Sequence, residues 1–169
     1  METGTSRILD GLVAPVRPRY FDGRLLTAAD FAREQEYHLA GRRRLTLLAV
    51  GSGVVEGLRV RTTGNHVIVS PGLAIDGLGR EIIVPEAVEV CLDALHRNGA
   101  FVVLSYAEEL IEPLPSLGSP GGVEYGTVRE TYRLTLHAAR PAPDKLDGGL
   151  VIGRASARRK ARKKGAGRR

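Results

Sequence analysis

The chain has 169 residues with 21 Gly, 9 Pro and no Trp, a length for one ordinary domain and a composition that favours short strands and turns over a helix bundle. Its net charge of +6 is lopsided: nine Lys and Arg and no acid fall between Arg154 and Arg169, while the other 16 basic residues face 19 acidic ones. Attraction to polyanions therefore belongs to the tail and not to the body, and no stretch approaches the ~20 apolar residues of a membrane span.

The first twenty residues hold no long apolar run, so no signal peptide is expected and synthesis in the cytoplasm is the expectation. Pro15 and Pro18 forbid a continuous helix there and bias their predecessors to extended backbone. Residues 1–20 thus read as an extended arm carrying Ile8, Leu9, Leu12, Val13 and Val16. Such an arm must fold back or dock on a neighbour, which makes these five side chains candidates for partner binding. Residues 21–153 read as the folded domain and 154–169 as a disordered basic tail.

Phe21-Asp22-Gly23-Arg24 is a turn, and Thr27 caps a helix that runs to about Val50. Asp30 is the capping-box acid, three residues after the cap. Asp30, Glu34 and Glu36 come early and Arg42, Arg43 and Arg44 come late, as the helix dipole prefers. The stripe Phe31, Gln35, His38, Arg42, Leu45, Ala49 is only moderately amphipathic. Gly51-Ser52-Gly53 ends the helix.

From Val54 the period becomes two. Val54–Arg61 and His66–Ser70 form a hairpin around Thr63-Gly64-Asn65. Leu73–Ile75 is a short apolar segment, Asp76–Gly79 a turn, and Arg80–Pro85 and Glu86–Leu92 are extended. Asp93–Asn98 suits one helical turn. Phe101–Ala107 is the most apolar strand and is expected to be central. Residues 110–126 are crowded with Pro and Gly and read as a long surface loop. Thr127–Ala138 alternates, Pro141–Pro143 is a linker, and Gly149–Gly153 is a final strand. The predicted fold is α+β and mainly β, one N-terminal helix packed on a small, mostly antiparallel β-sandwich or open barrel.

Chemistry is hard to place on this chain. Gly51-Ser52-Gly53 follows a helix and precedes a strand, the reverse of a phosphate-cradling loop. Glu34 and His38 share a helix face, but His66, His96 and His137 fall on other elements without metal-ligand spacing. No nucleophile elbow surrounds Ser52 or Ser70. Glu108 and Glu109 could form an acid–base pair, but Arg129 on the next strand favours a cross-strand ion pair. Cys91 is the only cysteine, and its apolar context, Val88-Glu89-Val90-Cys91-Leu92, predicts a buried structural thiol. No enzyme activity, metal or cofactor is expected. In the tail, Arg158, Arg159, Lys160, Arg162, Lys163 and Lys164 can contact nucleic acid or an acidic protein, without base specificity because no aromatic accompanies them.

Five segments carry a likeness in order: Arg19–Phe31, Glu34–His38, Gly53–Leu58, Val69–Ile82 and Tyr106–Glu109. Together they resemble a family of small proteins encoded in contractile injection system and phage-tail-like gene clusters. The run Val69-Ser70-Pro71-Gly72-Leu73-Ala74-Ile75-Asp76, then Gly79-Arg80-Glu81, is also similar to tail-fibre and baseplate-attachment domains. The resemblance implies a non-enzymatic structural or adaptor role, with other subunits of a tail-like assembly or further copies of the chain as partners. Location would be the cytoplasm, inside an assembled or released particle. The alternative is a nucleic-acid-associated protein acting through its basic tail. The arm before Arg19 and the tail after Gly153 lie outside the pattern.

Overall fold

The structure, a computed structural model, describes residues 13–92, 99–116, 118 and 121–155. Thr27 is extended and opens helix α1 (Ala28–Ala49). The Asp30 carboxylate accepts the Thr27 backbone N–H at 3.0 Å and its hydroxyl at 2.9 Å, and it also takes the Arg24 guanidinium. These contacts fix the entry angle of the helix. Gly51, at φ +80, ends it with a left-handed step, its N–H donating to the Leu47 carbonyl at 3.1 Å.

The same contacts hold the Asp30 carboxyl below its ordinary range, with the Thr27 backbone and hydroxyl donors as the main cause and Arg24 adding to them. A depressed folded pKa stabilises the protein above the unfolded pKa, and that contribution is lost as pH falls through the folded one. The melting-temperature gap between wild type and Asp30→Asn should therefore be steady at neutral pH and shrink below about pH 4. A gap that widens on acidification would contradict this cap.

Among the described residues nine strands follow: β1 (Gly53–Gly57), β2 (Val60–Thr63), β3 (His66–Val69), β4 (Gly72–Ile75), β5 (Glu81–Val84), β6 (Val88–Cys91), β7 (Ala100–Pro115), β8 (Val123–His137) and β9 (Leu150–Ala155). They pair antiparallel in three sheets ordered β1-β4-β5, β2-β3-β6 and β8-β7-β9. Among the described residues the sheets form no closed barrel. The inner faces meet in one core built on Val67, Val69, Ile82, Val84, Leu92, Val102 and Leu104, all nearly inaccessible. As expected, Phe101–Ala107 lies in the central strand of its sheet.

The single strand expected over Val54–Arg61 is two strands in different sheets. Leu58, buried at φ 51, turns the chain out of one sheet and into the next. The return passage at Ser70 and Pro71 mirrors it: Leu58 N–H donates to the Pro71 carbonyl and Ser70 N–H to the Arg59 carbonyl, both at 3.1 Å. The two passages cross so closely that a Cβ on Gly72 would lie 2.3 Å from the Glu56 carbonyl oxygen. Only glycine fits, which explains the local demand for Gly72. A long hairpin bent at one corner can serve two sheets in this way.

The surface loop expected over 110–126 is corrected by the structure. β7 and β8 stay in register from Phe101 opposite His137 out to Pro115 opposite Val123. Pro113 and Pro115 are tolerated because β9 pairs with β7 only from Ala100 to Leu104, so the outer part of β7 has an open edge where no donor is required. The final strand runs on to Ala155, with the Arg154 guanidinium over the Phe101 ring at 5.3 Å. The expected turn at Asp93–Asn98 lies outside the described residues.

The helix is held at few points. Asp30 is its buried residue, while Phe31, Leu45, Leu48 and Val50 are exposed. It comes close to the sheets at the β4–β5 turn, where a Cβ on Gly79 would meet the Arg43 carbonyl oxygen at 2.3 Å. The weak stripe read along the helix thus has too few apolar groups to make a buried face.

Candidate functional site

Between β4 and β5 the chain makes a turn around Asp76, whose side chain is fully buried. Its Oδ1 accepts the Leu78 N–H at 2.9 Å and the Arg80 N–H at 2.8 Å. Its Oδ2 takes Arg80 Nε at 2.6 Å. A buried carboxylate is tolerable only when so fully paired. Arg80 then reaches outward: it donates to the Asp147 carbonyl at 2.8 Å and covers the Tyr106 ring, 4.8 Å from its centroid. Tyr106 donates to Glu108 at 2.8 Å. Burial, then that hydrogen bond and the nearby Glu130, push the Tyr106 phenol up, so it stays a donor at physiological pH.

This chain of contacts braces the root of the β7–β8 hairpin. Arg42 of α1 adds a second brace, 4.0 Å from Glu81 and 3.9 Å from Glu130. Beyond Ala107 the hairpin leaves the body as a two-stranded ribbon. From Ala107 to Pro115 it extends about 26 Å at the usual strand rise. Leu110, Leu114, Val123, Tyr125 and Val128 are all more than half exposed on it. Glu109 and Arg129, opposite one another, make the expected ion pair at 3.5 Å, which is too exposed to contribute more than about 0–1 kcal/mol. A braced, projecting ribbon with open edges and bare apolar side chains is suited to holding another protein.

The second surface is the groove between the arm and α1. Tyr20 donates to Glu34 at 2.5 Å, and that bond raises the phenol pKa. Arg24 ties back to the Arg19 carbonyl. Upstream of these anchors the arm lies beside the helix and leaves an open groove of about 680 Å³ between residues 13–18 and 33–44. Of the five arm residues proposed to meet a partner, Val13 and Val16 flank this groove and are 80% and 86% exposed. Ile8, Leu9 and Leu12 lie outside the described residues, as do the tail residues Arg158, Arg159, Lys160, Arg162, Lys163 and Lys164.

The remaining candidates do not converge. His38 packs edge-on against Tyr37, His66 faces Glu89 at 3.4 Å, and His137 contacts Thr135 at 3.1 Å. Among the described residues no cluster could hold a metal ion, and no helix is long and apolar enough to cross a membrane. Glu108 is engaged by Tyr106 and Glu109 by Arg129. Cys91 is exposed, not buried. On β6 it shares the outward face with Glu89, while Val88 and Val90 turn inward, so the two-residue period, and not the apolar neighbours, was the usable signal. The ribbon's apolar residues were missed too; Val123 and Tyr125 alternate with Glu124 and Gly126 upstream of Thr127, in the opposite phase to Val128, Tyr132 and Leu134, and that was the available sign.

No family model matches the chain and no curated protein matches its sequence. Its fold does match solved structures. A chain of the TssK-TssF-TssG baseplate subcomplex of the type VI secretion system superposes with a TM-score of 0.52 at 14% identity, over 84% of this chain and 56% of that one. A chain of the type VI secretion baseplate complex gives 0.52 at 11% identity, over 84% and 54%. This chain thus spans about half the length of the solved chains it matches, and at such identities what it shares with those baseplate chains is the fold.

Proposed function

We propose that the chain is a non-enzymatic structural or adaptor component of a contractile, phage-tail-like injection particle, seated at the baseplate or at a fibre attachment. The observation that carries this reading is the fold shared with type VI baseplate chains over 84% of the sequence. The site suits it, because the exposed chemistry is that of contact surfaces. In this reading the ribbon and the arm, through Ile8, Leu9, Leu12, Val13 and Val16, hold neighbouring subunits. Each of these apolar side chains, once buried, would contribute about 1.5–3 kcal/mol before ordering costs.

The test is to purify particles from cells that make either the full chain or a chain lacking residues 1–16. The truncated protein should fall at least tenfold in recovered particles, by about the loss of one to two buried side chains, while unfolding cooperatively when isolated. Equal recovery of both proteins would refute the arm's role. A chain that is missing from particles altogether, and that binds DNA in a salt-dependent way through residues 156–169, would overturn the assembly reading in favour of the tail.

A further inference from the structure

A further groove, of about 1030 Å³, opens where α1 passes the β4–β5 turn and the segment that leads into β9. Leu47, Leu78 and Leu146 give it an apolar lining, and Arg43, Arg44 and Arg140 bring their guanidiniums to it. Glu36 is the one acid among the described residues that line it. None of these arginines is ion-paired among the described residues. The ribbon has the converse chemistry. Leu110 stands opposite Val128 and Leu114 opposite Glu124, so the two-residue period sets these four side chains on one face. Its three apolar members are all more than half exposed. Among the ribbon's acids, Glu109 is matched by Arg129 and Glu130 by Arg42. Glu108, Glu112 and Glu124 have no cation beside them among the described residues. An apolar face with surplus negative charge thus complements an apolar groove with surplus positive charge.

We infer that the ribbon of one copy docks in the arginine groove of a second copy of this chain. The β7–β8 ladder stays in register out to Pro115 opposite Val123, and its root is braced. A ribbon held in this way projects past its own groove and does not bend back into it, so the groove it enters belongs to another molecule. The unpaired charges steer the encounter, and burial of the bare apolar side chains holds it. Ribbon and groove are different patches. Copies therefore exchange ribbons within a two-fold dimer or pass them around a ring, as the rotation between them dictates. The inference rests on the proposed reading of the ribbon as a contact surface and names its partner there. Its test uses the isolated chain, so a failure here leaves the particle reading to its own experiment.

Sedimentation velocity of the full chain over a range of concentrations tests this. Wild type should associate, and raising the salt should weaken the association. One variant reverses the groove, Arg44→Glu with Arg140→Glu, and another reverses the ribbon, Glu112→Arg with Glu124→Arg. All four side chains are exposed, so each variant should melt as wild type does. Each alone should associate about tenfold or more weakly, because its groove and its ribbon then carry like charge. An equimolar mixture should recover the wild-type association, since each ribbon then meets a groove of opposite charge. If a reversed chain does not fold, the neutral pairs Arg44→Gln with Arg140→Gln and Glu112→Gln with Glu124→Gln should each weaken association, by less. A wild type that stays monomeric throughout would overturn the inference and leave the groove to an acidic segment of a different protein. Association that none of these variants weakens, or that the mixture of reversed chains does not recover, would overturn it too, because the two patches would then not meet.

Discussion

Gly79→Val should lower the melting temperature by about 10 °C. Gly79 sits at φ +79, a conformation that a β-branched residue resists at about 1–3 kcal/mol. The added Cβ would also lie 2.3 Å from the Arg43 carbonyl oxygen and 3.0 Å from Leu47. Backbone cannot yield as a side-chain tip does, so α1 must move away from the turn, at a further cost of about 1–3 kcal/mol for overpacking. For a chain of this size each kcal/mol is worth about 2–4 °C. Gly64→Val is the matched control, because Gly64 has φ +59 but nothing within 4 Å of a new Cβ. It carries the dihedral penalty alone. Thermal unfolding of the two variants separates strain from contact, and equal losses would show that α1 does not bear on the turn.

Asp76→Ala should be the most damaging polar substitution in the domain, at about 3–5 kcal/mol. It strands the backbone N–H groups of Leu78 and Arg80 and leaves the Arg80 guanidinium, only 17% exposed at its side chain, without its carboxylate. The harm then spreads, because Arg80 also anchors the Asp147 carbonyl and covers Tyr106 at the root of the ribbon. Asp76→Asn keeps one acceptor and should fall between wild type and alanine. Removing both partners together, in Asp76→Leu with Arg80→Leu, should cost less than the sum of the single changes, because neither charge is left buried alone. Urea unfolding of wild type, Asp76→Leu, Arg80→Leu and the double variant measures the coupling. An Asp76→Ala protein within about 1 kcal/mol of wild type would refute the central place given to this turn.

Much of this architecture is legible locally. The helix was readable because its start and stop are chemical events within a few residues: Thr27 with Asp30 at one end and Gly51 at the other. The turn at Asp76 was readable for the same reason, since its donors and acceptors lie within five residues. The central place of Phe101–Ala107 followed from its unbroken apolar character. The cross-strand pairing of Glu109 with Arg129 was foreseeable once β7 and β8 were taken as neighbours.

Tertiary structure alone decided the rest. Gly57, at φ +68 beside Leu58, hints at a local kink, but that one strand becomes two in different sheets depends on a crossing with Pro71 and Gly72 more than ten residues away. Proline and glycine between 110 and 126 argue locally for a loop, yet a register begun in the core at Phe101 and His137 carries the ladder outward through them. Cys91 took its exposure from the pleat of β6 and not from its apolar neighbours. The brace that joins Arg42, Glu81, Glu130, Arg80 and Tyr106 draws on the helix, the β4–β5 turn and three strands, so no window of sequence contains it. Capping and turn formation are short-range and were written in the chain itself. Register, sheet crossing and the aiming of the ribbon depend on contacts between distant segments, and these exist only once the core has closed.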